Sequence, residues 1–135
     1  FGARILKKDI IDLFEDGIIN YHPGSLPQTS GLDSLYWMIR KKTKPTVTAH
    51  FIDGKVDAGF KIFEKKISTN NLDTISNLEK KLYLGQLELH KKICNYIINN
   101  KNFRIKKIKN YSKNFPMSIA QKKLSLKTFN DWKKI

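Results

Sequence analysis

An amide and an imidazole stand two residues apart at Asn20 and His22. On an extended backbone, residues i and i+2 face the same side, so this spacing sets both side chains on one face of a strand end. The pairing points to chemistry. A fixed amide NH2 donates hydrogen bonds to developing negative charge, and an imidazole exchanges a proton near neutral pH. A carboxylate, Asp57, follows in the polar turn of Asp53-Gly54-Lys55-Val56-Asp57-Ala58-Gly59. Taken alone, Asn-aromatic-His more often describes a satisfied polar edge of a sheet than a site.

The elements that must position these groups are legible in the flanking pattern. Ile18 to Tyr21 reads as the end of a buried strand, because β-branched and aromatic residues suit a packed pleated surface. Pro23, Gly24 and Pro27 then turn the chain off the sheet into a shaped loop. Upstream, Lys8 to Phe14 reads as a short helix with Ile10, Ile11 and Phe14 apolar, ended by Asp16-Gly17. Downstream, Leu32, Leu35, Tyr36 and Ile39 recur at helical spacing over Leu32 to Arg40, where Asp33 suits the first turn. Thr46 to Ile52 alternates as a strand, and Lys61 to Ile67 reads as another. Asp73 opens a long helix to Ile98, with Ile75, Leu78, Leu82, Leu89, Ile93 and Ile97 as its apolar stripe. Cys94 falls within that apolar pattern as an inert core residue. Glu79, Tyr83 and Gln86 share one face of the helix, read as polar surface.

The chain of 135 residues suffices for one modest domain. Its 40% apolar and 11% aromatic content is globular rather than disordered. No apolar run reaches the ~18 residues of a membrane span, so no membrane insertion is expected, and no internal repeat is visible. One cysteine excludes an internal disulfide and fits a cytoplasmic setting. The net charge of +14 draws attention to nucleic acid. Against that, nearly all of it is lysine: the arginines, the usual bidentate readers of phosphates and bases, are Arg4, Arg40 and Arg104 alone. A solvated lysine surface is the favoured reading over a nucleic-acid partner. Residues 101–135 carry eleven basic residues and a single acid, Asp131, with Phe103, Tyr111, Phe115, Phe129 and Trp132 interleaved. Such a stretch either presents stacking rings to a strand of nucleic acid, or forms a terminal strand over Phe103 to Ile108 and ties itself to the core through its aromatics. The second is favoured. The expected division is 1–100 for the site-bearing part and 101–135 for a basic extension. A metal held by His22, His50 and Asp57 is disfavoured, since the spacing fits no standard zinc signature.

Several spaced elements together, Asn20-Tyr21-His22-Pro23-Gly24-Ser25-Leu26-Pro27, then Gly31-Leu32-Asp33, then His50 through Asp57-Ala58-Gly59, resemble the folate-dependent formyltransferases over roughly residues 1–68. Gly31 lies nine residues after His22, and Asp57 seven after His50, as in that family's pattern. The resemblance implies an α/β, Rossmann-like formyltransferase fold, and transfer of a formyl group from N10-formyltetrahydrofolate to a primary amine without a metal. It makes Asn20, His22 and Asp57 the catalytic set. Asn20 would donate to the oxyanion, and His22 would stabilise it or move the amine's proton. Asp57 would orient His22 and stabilise its charge. Arg4, Ile5 and Leu6, with Ile52, Asp53 and Gly54, would flank the pterin ring, mostly through backbone groups. His50 is read as a packed, hydrogen-bonded histidine or a pocket residue.

Within the family, Pro23 after the histidine favours the transferase over the hydrolase branch. The form His-Pro-Gly-x-x-Pro, followed by Gly31-Leu32-Asp33 and a helix containing Trp37, looks most like members that formylate nucleotide-linked amino sugars, in surface-polysaccharide biosynthesis. The chain departs from the family pattern at Gly24-Ser25-Leu26 and at Gln28-Thr29-Ser30. A truncated or inactive folate-binding module, and the glycinamide ribonucleotide and methionyl-tRNA branches, are the alternatives. In the family, the first half of the doubly wound sheet precedes the position of Phe1. The expected architecture is therefore the C-terminal half of the catalytic domain plus a long helix and a basic tail, with the sheet edge near Ile18 to Tyr21 covered by a missing segment or by a homodimer contact.

Overall fold

The computed structural model describes residues 6–55, 57–110 and 113–135. Four strands, β1 (Ile19–His22), β2 (Thr46–Phe51), β3 (Phe60–Lys66) and β4 (Lys106–Lys107), form one sheet in sequence order with every neighbour antiparallel. Five helices accompany them: α1 (Lys8–Ile11), α2 (Ser34–Arg40), α3 (Ile75–Ile98), α4 (Ile119–Lys127) and α5 (Phe129–Trp132). The α/β class expected from the sequence is observed.

α3 lies across one face of the sheet and closes the core. Leu78, Leu82, Leu89 and Ile93 are buried on it, together with Val47, Ala49 and Ile62 from the strands and Met38 and Ile39 from α2. Gly85 allows the close approach. A Cβ there would lie 2.6 Å from Ile67 Cδ1 and 3.2 Å from Val47 Cγ2, so a side chain would push the helix off the sheet. Gln86, read from sequence as one of the solvent-facing polar residues of the helix, is buried and donates through Nε2 to the Tyr21 carbonyl at 2.7 Å. Ile97, at the end of the expected stripe, is 57% exposed. Cys94 is half-buried rather than core, with Sγ 3.6 Å from His90 Nε2.

Element ends differ from the sequence expectation where polar side chains find better partners. α3 starts at Ile75 rather than Asp73 because Thr74 caps it, accepting the Asn77 amide at 3.1 Å. Asp73 stays outside the helix, accepts the Asn70 N–H at 2.8 Å and pairs with Lys81 at 2.7 Å. α2 starts two residues late because Asp33 takes a left-handed conformation, φ 59°. Its carboxylate accepts the Met117 amide at 2.9 Å and pairs with Lys122 at 2.6 Å instead of serving the first turn of α2. Leu32 is consequently exposed. α1 ends at Ile11, leaving Phe14 exposed beyond it.

Most of the tail's aromatics turn inward, as favoured. Phe103 stacks on Tyr96 with centroids 5.9 Å apart and meets Phe51 and Phe63 edge-on. Trp132 is 2% exposed and donates Nε1–H to the Thr43 carbonyl at 2.7 Å. Phe115 remains exposed, Tyr111 lies outside the described residues, and the terminal strand shrinks to Lys106–Lys107. Even the basic residues are partly recruited: Lys133 is buried and donates to the carbonyls of Asn71 and Asp73. Trp132→Ala removes a large buried ring and leaves the Thr43 carbonyl without that donor. It should destabilise the fold by about 3–5 kcal/mol, read as a lowered midpoint in urea denaturation.

Candidate active site

β1 and β2 pair in the register Asn20↔His50 and His22↔Thr48, so Asn20, His22, Thr48 and His50 share one face of the sheet. That face is opposite α3, whose partners Tyr21, Ala49 and Phe63 alternate with them. The turn after β2 brings the third group. Gly59 (φ 95°) packs where a Cβ would strike the Phe51 carbonyl, and Asp57 itself is left-handed, φ 52°. This curl points the Asp57 carboxylate back over the strand ends, where its side chain is 11% exposed.

The contacts define proton positions. His22 Nε2 lies 2.8 Å from the Thr29 carbonyl, which only accepts, so Nε2 carries the hydrogen. Ser34 Oγ, 3.2 Å from the same nitrogen, sends its own hydrogen to the Gly31 carbonyl at 3.3 Å. Nδ1 is left as a lone pair facing Asp57 Oδ2 at 3.4 Å. His50 has the opposite arrangement. Its Nδ1–H donates to the Ala58 carbonyl at 2.8 Å, and its Nε2 accepts from Asn20 Nδ2 at 3.1 Å. Asn20 Nδ2 also donates to Asp57 Oδ1 at 3.3 Å. His50 thus fixes the NH2 end of the Asn20 amide on the Asp57 side, combining the two sequence readings of it: it is packed and it belongs to the site.

Burial lowers the pKa of both imidazoles below the ordinary value. At His22 desolvation outweighs Asp57 and the Thr29 carbonyl, which pull upward, and nearby His50 adds to the lowering. At His50 desolvation outweighs the Ala58 carbonyl and the Asp57 and Asp53 carboxylates. A neutral His22 with Nε2–H committed presents Nδ1 as a base, and the carboxylate beside it favours the imidazolium that forms.

The loop from His22 to Gly31 is held from three sides. Gly24 passes so close to the His22 ring that a Cβ would lie 2.7 Å from Nε2, and Thr48 Oγ1 donates to the Gly24 carbonyl at 2.7 Å. Gly31 N–H donates to Asp57 Oδ2 at 2.6 Å. From the tail, the Asn114 side-chain NH2 donates to the carbonyls of Gln28 (3.1 Å) and Ser30 (2.8 Å), and its backbone N–H donates to Ser30 as well. Thr29, Ser34 and Asn114 were missed by sequence reasoning. Ser34 at a helix start carried a faint signal, whereas nothing in the sequence connects Asn114 to a loop 84 residues earlier.

Of the residues expected to flank a pterin, Arg4 and Ile5 lie outside the described residues. Leu6 is exposed just before α1. Ile52 donates its N–H to Ile18, and Asp53 Oδ1 accepts the Lys55 N–H. Gly54 (φ 88°) approaches Lys8 and Ile11 of α1, so the 52–54 loop and α1 share one edge of the fold. Among the described residues, no group of three or more histidine, cysteine or acidic side chains is arranged to hold a metal ion.

A strand-borne Asn–His pair, a left-handed Asp turned onto it and a proline-glycine loop beneath form one polar cluster at the strand ends of this α/β fold. A family model described as formyl transferase matches residues 2–90, and the chain belongs to that family. It is 34% identical over 88 residues to a methionyl-tRNA formyltransferase of Thermodesulfovibrio yellowstonii, a match covering 64% of this chain and 29% of the relative. The crystal structure of the formyltransferase PseJ from Anoxybacillus kamchatkensis, in complex with UDP-4,6-dideoxy-4-formamido-L-AltNAc and tetrahydrofolate, superposes with a TM-score of 0.76 at 25% identity, covering 97% of this chain and 68% of that one. An N-formyltransferase from Helicobacter canadensis, in complex with folinic acid and dTDP-3-aminofucose, gives 0.67 at 26% identity over 93% and 51%. The chain therefore spans less than a third of the curated relative, and 68% and 51% of these two structures. The fold is the Rossmann-like formyltransferase fold, of which this chain supplies one part.

The buried histidines give stability a pH dependence. Both folded pKa values lie below the unfolded value of about 6.5, so the unfolded chain binds more protons and stability falls as pH drops below that value. Thermal melts from pH 8 to 5 should show this decline, and His22→Asn should flatten its slope whatever it does to the absolute midpoint.

Proposed function

We propose that this chain carries the catalytic groups of a formyltransferase that moves a formyl group from N10-formyltetrahydrofolate to the primary amine of a nucleotide-linked amino sugar. The observation that carries the reading is the convergence of the Asn20 amide and the His22 Nδ1 lone pair on the Asp57 carboxylate, at 3.3 Å and 3.4 Å. The folate donor supplies an activated formyl carbon. The Asn20 NH2 serves the oxygen of that group as negative charge develops, exchanging its hydrogen bond to Asp57 for one to the oxygen. His22 Nδ1 takes the proton released from the attacking amine, and Asp57 holds the resulting imidazolium until the proton passes to the departing nitrogen. Leu6, Ile52, Asp53 and Gly54, with Arg4 and Ile5, flank the pterin in this reading.

The amino-sugar assignment is supported by the ligands of the PseJ and Helicobacter canadensis structures and by the near-complete coverage of this chain in both. A methionyl-tRNA acceptor is the second reading, favoured by the 34% identity to that relative. A reduced-folate donor and a nucleotide-linked acceptor suit a cytoplasmic step in surface-polysaccharide biosynthesis, with a homodimer as the proposed assembly.

Calorimetric titration with 5-formyltetrahydrofolate, which does not transfer its formyl group, should show saturable binding, and His22→Ala should keep most of it. In a transfer assay, His22→Ala is expected to lose about 10²–10⁴-fold in rate, and Asn20→Ala about 10²–10³-fold. A folded chain that ignores the folate sinks this reading. Transfer to methionyl-tRNA or glycinamide ribonucleotide, with none to amino-sugar nucleotides, reassigns the acceptor.

A further inference from the structure

Positive charge is not spread evenly over this fold. A cavity of about 560 Å³ opens between the Leu26–Gln28 loop, the end of α2, β3 and the β4 region, and five lysines line it: Lys41, Lys61, Lys106, Lys107 and Lys109. The lysines come from three separate segments, so the cluster is a product of the fold rather than of one basic run. Lys61 pairs with Glu64 at 2.8 Å. Among the described residues, none of the other four has a carboxylate within ion-pair distance. Lys41 Nζ donates to two neutral oxygens, the Gln28 carbonyl and Asn114 Oδ1, each at 2.6 Å, which fixes its ammonium at the cavity wall. Four uncompensated ammonium groups around one concavity repel one another and raise the local potential, and a bound anion relieves both.

The cavity lies on the catalytic side of the sheet. The register runs Asn20↔His50, His50↔Lys61 and Lys61↔Lys106, one cross-strand row that begins at the site and ends in the lysines. At ~4.8 Å between strands, the Lys61 backbone is about 10 Å from Asn20 and that of Lys106 about 14 Å. The loop connects them too, since Gln28 at the cavity is next to Thr29, whose carbonyl holds His22.

We propose that this lysine-lined cavity is a binding site for a diphosphate group, such as that of a nucleoside diphosphate carrying the acceptor amine. Lysines serve phosphate oxygens as point-charge donors, and the volume fits a small ligand rather than a flat macromolecular interface. Single-stranded nucleic acid fits less well, because it needs stacking rings, and Phe103, Phe129 and Trp132 of the same tail pack into the core. The assignment to the acceptor rests on the transfer reading above, whereas the anion site itself stands on the lysines.

The test is calorimetric titration of the whole chain with inorganic pyrophosphate, UDP, orthophosphate, and oligonucleotides of 4 and 16 nucleotides. Saturable binding of pyrophosphate and UDP at one site is expected, weakening as salt is raised. Lys106→Glu/Lys107→Glu alters two exposed side chains and should weaken it at least ~10-fold with an unchanged far-UV circular dichroism spectrum. If that pair disturbs β4, Lys109→Glu, outside the strand, should still lower affinity. His22→Ala should bind pyrophosphate like the wild type. Absence of saturable binding, binding indifferent to these substitutions, or orthophosphate as tight as pyrophosphate overturns the proposal. Affinity that climbs with oligonucleotide length overturns it in favour of an extended polyanion. Because pyrophosphate binding involves no formyl transfer, a chain that binds it through these lysines without turnover keeps this site and loses only the reaction.

Discussion

The Asp57 carboxylate is the point on which the site geometry converges. It accepts the Gly31 amide, accepts Asn20 Nδ2 and faces His22 Nδ1, so one side chain ties the end of β1, the proline-glycine loop and the turn after β2. It does so from a left-handed backbone that an aspartate tolerates better than most residues, because a short polar side chain finds local partners there. Gly59 next to the turn lets the chain pass the Phe51 carbonyl, and Gly24 lets the loop pass the His22 ring. The charge at the centre is held by donors on several sides, which is what makes a nearly buried carboxylate tolerable.

Around that anion the two histidines play unequal parts because their hydrogen-bond partners differ. Carbonyls fix the proton on Nε2 of His22 and on Nδ1 of His50. The first leaves a basic nitrogen beside Asp57; the second leaves an acceptor that orients the Asn20 amide. Burial pulls the pKa of both below the ordinary value, which favours the neutral rings. α3 contributes from the far side of the sheet, where Gln86 secures the Tyr21 carbonyl between the two site residues of β1.

Periodicity made the strands and the long helix legible, and motif spacing made Asn20, His22 and Asp57 legible, because both are local properties of the chain. The ends of elements were harder, since Asp33 and Asp73 each leave the helix turn the sequence assigns them for a partner distant in sequence or a tighter cap. Gln86 was misplaced because a helix stripe shows which face is apolar, but not where a neighbouring strand carbonyl meets it, and Cys94 proved half-buried beside His90 of the same helix. The tail was legible only as basic and aromatic. Its inward-facing rings and its clamp on the loop depend on long-range pairing that no local pattern encodes.

That clamp bears on how the molecule comes into being. Gly31 and Asn114 form an isolated bridge, and every contact of the Asn114 amide with the loop spans more than 80 residues of chain. Closing so long a loop is entropically expensive and slow relative to local helix and hairpin formation. During synthesis, the β1–β2–β3 meander is available for pairing early, whereas the loop beside His22 must wait for Asn114 to leave the ribosome. A nascent chain therefore holds Asn20, His22 and Asp57 in sequence well before the loop beside them is held in place.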